Sequence, residues 1–384
     1  MSQLQRKKLL VWGHTSELEG GSDQDLTDLL EYFSKNNQIE LLGTFPDGPR
    51  FEVNSKLCCA YVKHRGAGFP ILYESFLNYL VYWLYAAKQM LNTRKFIHEQ
   101  RPDAILFFTS ALLVPFIWSL RLKVKRYLFV REVITPHWLM KLFFKKLYRK
   151  ADLIFTVSSF LRDELIKFEI EGPIHVIYSL PKIETFKSRR RDHQKFKIAC
   201  VGGISKNKGQ FRLIKACHKL NNSENIELHF FGTIHTHYAA RRLLKKIANF
   251  RASNSVHAKV FFHGAFKHDK LLSELSSFDL IAIPSEYEGL SLVLLEAILL
   301  NVPVIASRIG EIQRIIEHEH NGLLFDPHNI DDIANCIDRL RQDRQLYAKI
   351  KKNLGSLPPH LGTTDRNLQT LMNLIESDLI LQPA

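Results

Sequence analysis

The feature that most constrains the fold is a second beginning. From Lys197 the segment KIACV opens a fresh series of short apolar runs, each followed by a turn and then by helical spacing. It stands directly behind KSRRRDHQK, Lys187 to Lys195, a charge run without apolar periodicity that reads as a linker. A similar series precedes the run. Short apolar strands alternating with helices need a parallel sheet covered on both faces. Two successive series predict an α/β chain of two doubly wound, Rossmann-like domains facing each other, at 1–186 and 187–360. A last helix, about Asp365 to Leu379, lies beyond the Pro358-Pro359 break and need not belong to the second domain. The length of 384 residues fits two cores better than one.

In the first series Lys7 to Gly13 reads as a strand. Further strands are expected from Ala104, over Arg126 to Val130, over Asp152 to Val157 and over His175 to Tyr178, with a helix from Ser158 to Phe168. Leu26, Leu29, Leu30 and Phe33 have helical spacing, and Ser22 with Asp25 resembles a capping box at the start of that helix. Gly20-Gly21 then form a loop at a helix N-terminus, either approaching a ligand with their backbone or only supplying a turn. Asp23-Gln24-Asp25 has the form of an Asp-x-Asp metal motif, but helix capping explains it better. Arg131 and Glu132 stand at the C-terminal end of their strand, the usual ligand edge of a parallel sheet.

The net charge of +14 calls for an anionic partner. Basic residues concentrate in Arg121 to Arg149 and Lys187 to Lys197, without the aromatic-basic interleaving of single-strand binders, so nucleic acid is not expected. Trp138 to Lys150, WLMKLFFKKLYRK, reads either as an interfacial helix drawn to anionic lipid or as an amphipathic helix with a solvated basic face. Phe69 to Met90 is dense in aromatics, but its unbroken apolar part is far short of the ~20 residues of a membrane span. The N-terminal apolar run is too short for a signal peptide. The five cysteines lack zinc-ligand spacing and read as reduced thiols in a cytoplasmic setting.

Two stretches of the second series carry chemistry. GGISKNKGQ follows its first strand: Gly202-Gly203 form the turn, and Lys206 and Lys208 lie at the mouth of the next helix, where a lysine either holds phosphate or belongs to a solvated basic loop. FDLIAIPSEYEGLSLVLLEA reads as strand, small-residue turn and helix, an arrangement that aims backbone N–H groups at an anion. It contains Glu288 and Glu296. With the helix starting near Leu290, helix rise separates these carboxylates by ~12 Å, a span suited to a diphosphate between two hydroxyl-bearing ends, as in a nucleotide sugar. That span exceeds the roughly 5–9.5 Å of a glycosidase pair and favours transfer over hydrolysis. No Gly-x-Gly-x-x-Gly follows either first strand, which disfavours a Rossmann dehydrogenase.

In order, VGGISKNKG, FHG, FDLIAIPSEYEGLSLVLLEA, VPVIAS and NGLLF resemble the retaining, nucleotide-sugar-dependent glycosyltransferases of family 4, with the two-domain GT-B fold. The match covers about residues 197–340. EGGSDQDLTDLLEYF, PDAILF, VRE and ADLIFTVSSF extend it more weakly into the first half. The resemblance implies a cleft between the domains, with the final helix (364–380) crossing back to the first, acceptor-binding domain. It implies Glu288 beside the donor sugar and Glu296 on the nucleotide ribose. The amides of Gly289, Leu290 and Ser291 would hold the β-phosphate. Lys208 would neutralise the diphosphate in place of a metal ion, with no cofactor beyond the donor substrate, and Gly20-Gly21 would close over the cleft. Arg131 stands where many members carry a histidine close to the reacting sugar. Gly203 stands where many carry an arginine, with Lys206 as the candidate substitute. The acceptor expected from the aromatic and basic stretches is a glycan or lipid-linked molecule at the cytoplasmic membrane face, in surface polysaccharide or glycolipid synthesis. The rival expectation is a non-catalytic nucleotide-binding or membrane-docking protein of the same fold.

Overall fold

The computed structural model describes residues 6–13, 21–36, 38–48, 50–64, 93–110, 112–133, 144–170, 172–182, 195–233, 238–254 and 257–380. Gly20, the aromatic stretch 69–90, the first half of the basic stretch (138–143) and the charge run 187–194 lie outside them. The chain divides into two compact units, Met1–Ser179 with Gly362–Ala384, and Leu180–Leu361. The first crossing therefore comes before the charge run. Packing sets it there: Tyr178 and Leu180 are both buried, and Ser179 accepts a hydrogen bond from Arg131.

The first unit is built on a seven-stranded parallel sheet of β1 (Lys7–Trp12), β2 (Ile39–Pro46), β3 (Ala60–His64), β4 (Ala104–Phe107), β5 (Lys125–Val130), β6 (Leu153–Thr156) and β7 (Ile174–Val176). Their order is β3-β2-β1-β4-β5-β6-β7. The central strands are apolar on both faces, as a sheet with helices on each side requires; every residue of β4 is buried. β2 and β3 have no counterpart in the sequence reading. Gly43 and Pro46 interrupt the first, and β3 is an edge strand that leaves Tyr61 half exposed.

The helix Gly21–Ser34 buries Leu26, Leu29, Leu30 and Phe33, the residues its periodicity selected. The expected capping box rests on the Ser22 side chain, which lies outside what the structure describes; Asp25 pairs with Arg131. Of the basic stretch, Phe144, Leu147 and Tyr148 are packed in the core, while Lys146, Arg149 and Lys150 are exposed. Core packing thus occupies the apolar face of this part and leaves charge outside. No helix among the described residues is long and apolar enough to cross a membrane.

The helix Thr364–Ile380 returns to the first unit. Its apolar face is buried at Leu371, Met372, Ile375 and Leu379. Its polar residues bind the same unit: Glu376 accepts from Asn36 at 2.5 Å, and Asp378 accepts from Tyr127 at 2.8 Å and Lys125 at 3.3 Å.

The second unit carries β8 (Phe196–Val201), β9 (Ile226–Phe231), β10 (Lys259–Gly264), β11 (Leu280–Ile283), β12 (Val304–Ser307) and β13 (Leu323–Phe325), all parallel, in the order β10-β9-β8-β11-β12-β13. Leu213 and Cys217 of helix Gln210–His218 and Ile333 and Ile337 of helix Ile330–Gln342 close one face over Ile198, Leu228 and Phe230.

Both sheets use one polar device to align strands. The aspartate ahead of β4, Asp103, accepts the Lys8 amide of β1 at 2.8 Å. Asp152, ahead of β6, accepts the Arg126 amide of β5 at 2.7 Å. Asp279, ahead of β11, accepts the Lys197 amide of β8 at 2.8 Å. Each satisfies a backbone donor at a strand's start and pins the register of its neighbour.

Candidate active site

In the second unit the strand order reverses between β8 and β11, which pair directly through Leu280 with Ile198 and Ile281 with Ala199. Loops leaving the carboxyl ends of two such strands diverge and open a crevice. Here they are residues 202–209 after β8 and 284–291 after β11, the two stretches singled out from sequence.

They meet at Lys208 and Glu288. The Lys208 Nζ lies 2.7 Å from Glu288 Oε1, which also accepts from Ser285 Oγ at 2.7 Å. The Lys208 side chain is 31% exposed and that of Glu288 12%, so the ammonium can still meet a ligand. Burial works against the charge on Lys208, but Glu288 beside it prevails and holds its pKa above the usual lysine value.

The turn holding Lys208 is shaped by Gly209, whose φ of 72° is left-handed and whose missing side chain lets the Pro284 carbonyl approach. Gln210, fully buried, donates to the carbonyls of Gly202 and Gly203, each at 3.2 Å. Lys206 lies exposed in the turn.

The helix after β11 begins at Leu292, later than Leu290, because Ser291 is its N-cap and accepts from the Leu294 amide at 3.4 Å. Gly289 and Leu290 therefore belong to the turn. Half of the path from Glu288 to Glu296 is loop, so the ~12 Å expected from continuous helix rise does not apply, and the argument against hydrolysis built on it falls away. Glu296 is buried, and its Oε1 lies 2.8 Å from His268 Nε2, at the start of helix His268–Leu275.

Asn207, Arg212 and His268 were missed from sequence. Asn207 and Arg212 hold the 284–287 backbone, and nothing local marks either. The His268–Glu296 pair joins residues from two helices that only the fold brings together.

In the first unit Arg131 lies at the carboxyl end of β5. Its guanidinium pairs with Asp25, donates to Ser179 Oγ at 3.3 Å and covers the Phe108 ring at 4.8 Å from the centroid. Burial raises the Asp25 pKa even though the Arg131 charge and hydrogen bond oppose it. Glu132 accepts from Thr109 and, at 2.9 Å, from Ser110. Gly21 opens the helix that carries Asp25.

Two family models match the chain back to back: Glycosyltransferase Family 4 over residues 20–179 and Glycosyl transferases group 1 over residues 181–354. The chain is a family 4 glycosyltransferase. The border between the two matches falls where the structure divides, at Ser179 and Leu180.

This glycosyltransferase is 31% identical over 206 residues to an uncharacterized glycosyltransferase of Methanocaldococcus jannaschii, 50% of this chain and 51% of that one. The match thus spans about half the length of that curated relative. Among solved structures, sucrose-phosphate synthase from Thermosynechococcus elongatus superposes with a TM-score of 0.79 at 17% identity, covering 98% of this chain and 100% of the other. The Anabaena protein HepE in complex with UDP and glucose superposes with a TM-score of 0.76 at 19% identity, covering 97% and 100%. At such identities the superpositions establish the fold, two Rossmann-like domains of the GT-B type.

Proposed function

We propose that this glycosyltransferase moves a hexosyl group from a nucleoside diphosphate sugar to a hydroxyl of a glycan or lipid-linked acceptor, with retention of anomeric configuration. The observation that carries the reading is the Lys208–Glu288 pair, set at the strand-order reversal beside the N-terminus of helix Leu292–Leu299. Departure of a nucleoside diphosphate places negative charge on the leaving phosphate. A fixed ammonium and backbone N–H groups at a helix start stabilise such charge without reorganising.

In this reading Lys208 and the amides of Gly289, Leu290 and Ser291 receive the diphosphate, and Gly203 and Lys206 line its approach. Glu288 orients the sugar hydroxyls. Glu296, steadied by His268, accepts from the ribose. The lysine does the work for which other transferases use a metal ion, and UDP in the HepE structures makes a uridine nucleotide the first donor to test. Arg131 serves the acceptor side, where its planar guanidinium acts by charge and hydrogen bonding.

The exposed Lys146, Arg149 and Lys150 support attraction to an anionic membrane face without insertion, which suits a lipid-linked acceptor in polysaccharide or glycolipid synthesis. Free thiols at all five cysteines suit a cytoplasmic protein with a peripheral membrane contact.

Incubation with a panel of nucleotide sugars should release nucleoside diphosphate with at least one, and release with none would overturn the reading. The proton NMR coupling at the new anomeric centre should show the donor's configuration, and an inverted product would refute retention. Flotation with anionic vesicles should carry the protein upward at low salt, and no flotation would remove the membrane contact.

A further inference from the structure

We infer that Asn207 and Arg212 are positioning residues that lock the Lys208 turn and the Glu288 turn into one body before any donor arrives. The inference rests on the donor site proposed above and adds what holds its two halves in register.

The two turns leave different strands and share no ladder of their own. Besides the Lys208–Glu288 pair, what joins them is a short set of hydrogen bonds from Asn207 and Arg212. The Asn207 amide treats Tyr287 as a neighbouring strand would: Oδ1 accepts the Tyr287 amide at 2.9 Å and Nδ2 donates to the Tyr287 carbonyl at 3.2 Å. The Asn207 carbonyl accepts the Glu286 amide at 2.9 Å. Thus Asn207 fixes the two residues just before Glu288 while sitting just before Lys208.

Arg212 completes the bridge from the first turn of helix Gln210–His218. A single nitrogen, Nη2, donates to the Pro284 carbonyl at 2.7 Å and to the Asn207 carbonyl at 3.3 Å, one from each turn. Its Nη1 pairs with Glu286 Oε1 at 2.5 Å. Both side chains are largely buried, 15% and 13% exposed, so the pair is shielded from solvent and a lost partner leaves a buried charge. Its Nε is buried without a hydrogen-bond partner among the described residues.

Neither residue reaches the Lys208–Glu288 pair itself, so neither is a catalytic residue. Their effect is geometric. Lys208 and the 289–291 amides must face one diphosphate together, and a misplacement of about 1 Å in such an arrangement costs on the order of 10²-fold in rate.

The test compares Asn207→Ala, Arg212→Met and Arg212→Lys in the full chain by two readouts. Hydrogen exchange of the donor-free protein, read by mass spectrometry, should rise over residues 284–291 in the first two variants while β8 and β11 stay protected. Steady-state transfer should show kcat down by about 10²-fold with donor KM changed only a few-fold, and Arg212→Lys should recover part of both signals. Unchanged exchange over 284–291 overturns the inference even if the wild type transfers no sugar, an outcome that would sink only the functional reading. Faster exchange with unchanged kcat, or exchange rising equally through the core strands, also overturns it.

Discussion

Replacing Gly209 with alanine tests the site through its backbone. A Cβ at that position would lie 2.1 Å from the Pro284 carbonyl oxygen, against a practical minimum of 3.0 Å, so the loop must retreat by 3.0 − 2.1 = 0.9 Å. The same substitution puts an alanine at a φ of 72°, which costs roughly 1–2 kcal/mol by itself. The retreat moves the turn that carries Glu288 and the 289–291 amides, and a shift of about 1 Å there predicts a loss near 10²-fold in kcat/KM. That is about 2.7 kcal/mol of transition-state stabilisation at ~1.36 kcal/mol per decade. Gly362→Ala is the matched control: its φ is 73° and its nearest atom stands at an ordinary 3.6 Å. Both variants should lose stability in urea unfolding, but only Gly209→Ala should lose kcat/KM. A folded Gly209→Ala protein within two-fold of wild-type kcat/KM would refute the reasoning.

Further outcomes follow from the same geometry. Lys208→Met should lower kcat by roughly 10²–10³-fold while donor KM changes little, because its charge matters most as the phosphate leaves; an equal rise in KM instead would assign it to ground-state binding. His268→Ala should weaken nucleoside diphosphate binding about ten-fold in calorimetry by freeing Glu296, and unchanged affinity would remove His268 from the ribose site. His229 and His263, 2.9 Å apart, have pKa values lowered from 6.5, chiefly by burial and, for His229, by its partner's charge as well. Their stabilising contribution is present above about 6.5 and is lost as pH falls below it, since the unfolded chain then binds more protons. The urea midpoint should therefore drop on acidification, less steeply in a His229→Gln, His263→Gln variant; equal slopes would refute this. Burial pushes the thiols of Cys58, Cys200, Cys217 and Cys336 up to about 12, so an alkylating reagent at mildly alkaline pH should label the exposed Cys59 first. Peptide mapping that finds another cysteine labelled first would contradict the packing.

Local rules carried much of this chain. The apolar strands at Lys7, Ala104, Lys125, Phe196 and Leu280 are short and buried on both faces, so composition alone announces them. The aspartates of PDAILF, ADLIF and FDLIA mark strand starts because each accepts the amide of the second residue of a neighbouring strand. Glu288, Lys208 and Glu296 were legible because strand, small-residue turn and helix leave a recognisable trace along the chain. Edge strand β3, exposed and weakly patterned, left none.

What sequence determined by itself was the periodicity: which residues face a core, where two parallel arrays begin, and which turns end at a ligand edge. These depend on neighbours a few positions away. Tertiary structure alone decided partnership. It put Lys208 on Glu288, His268 on Glu296, Asp25 on Arg131, and Asn207 with Arg212 across the gap between two turns. Such pairs join residues distant in sequence, brought together by the strand order, and no local spacing encodes which distant side chain a strand-order reversal will supply.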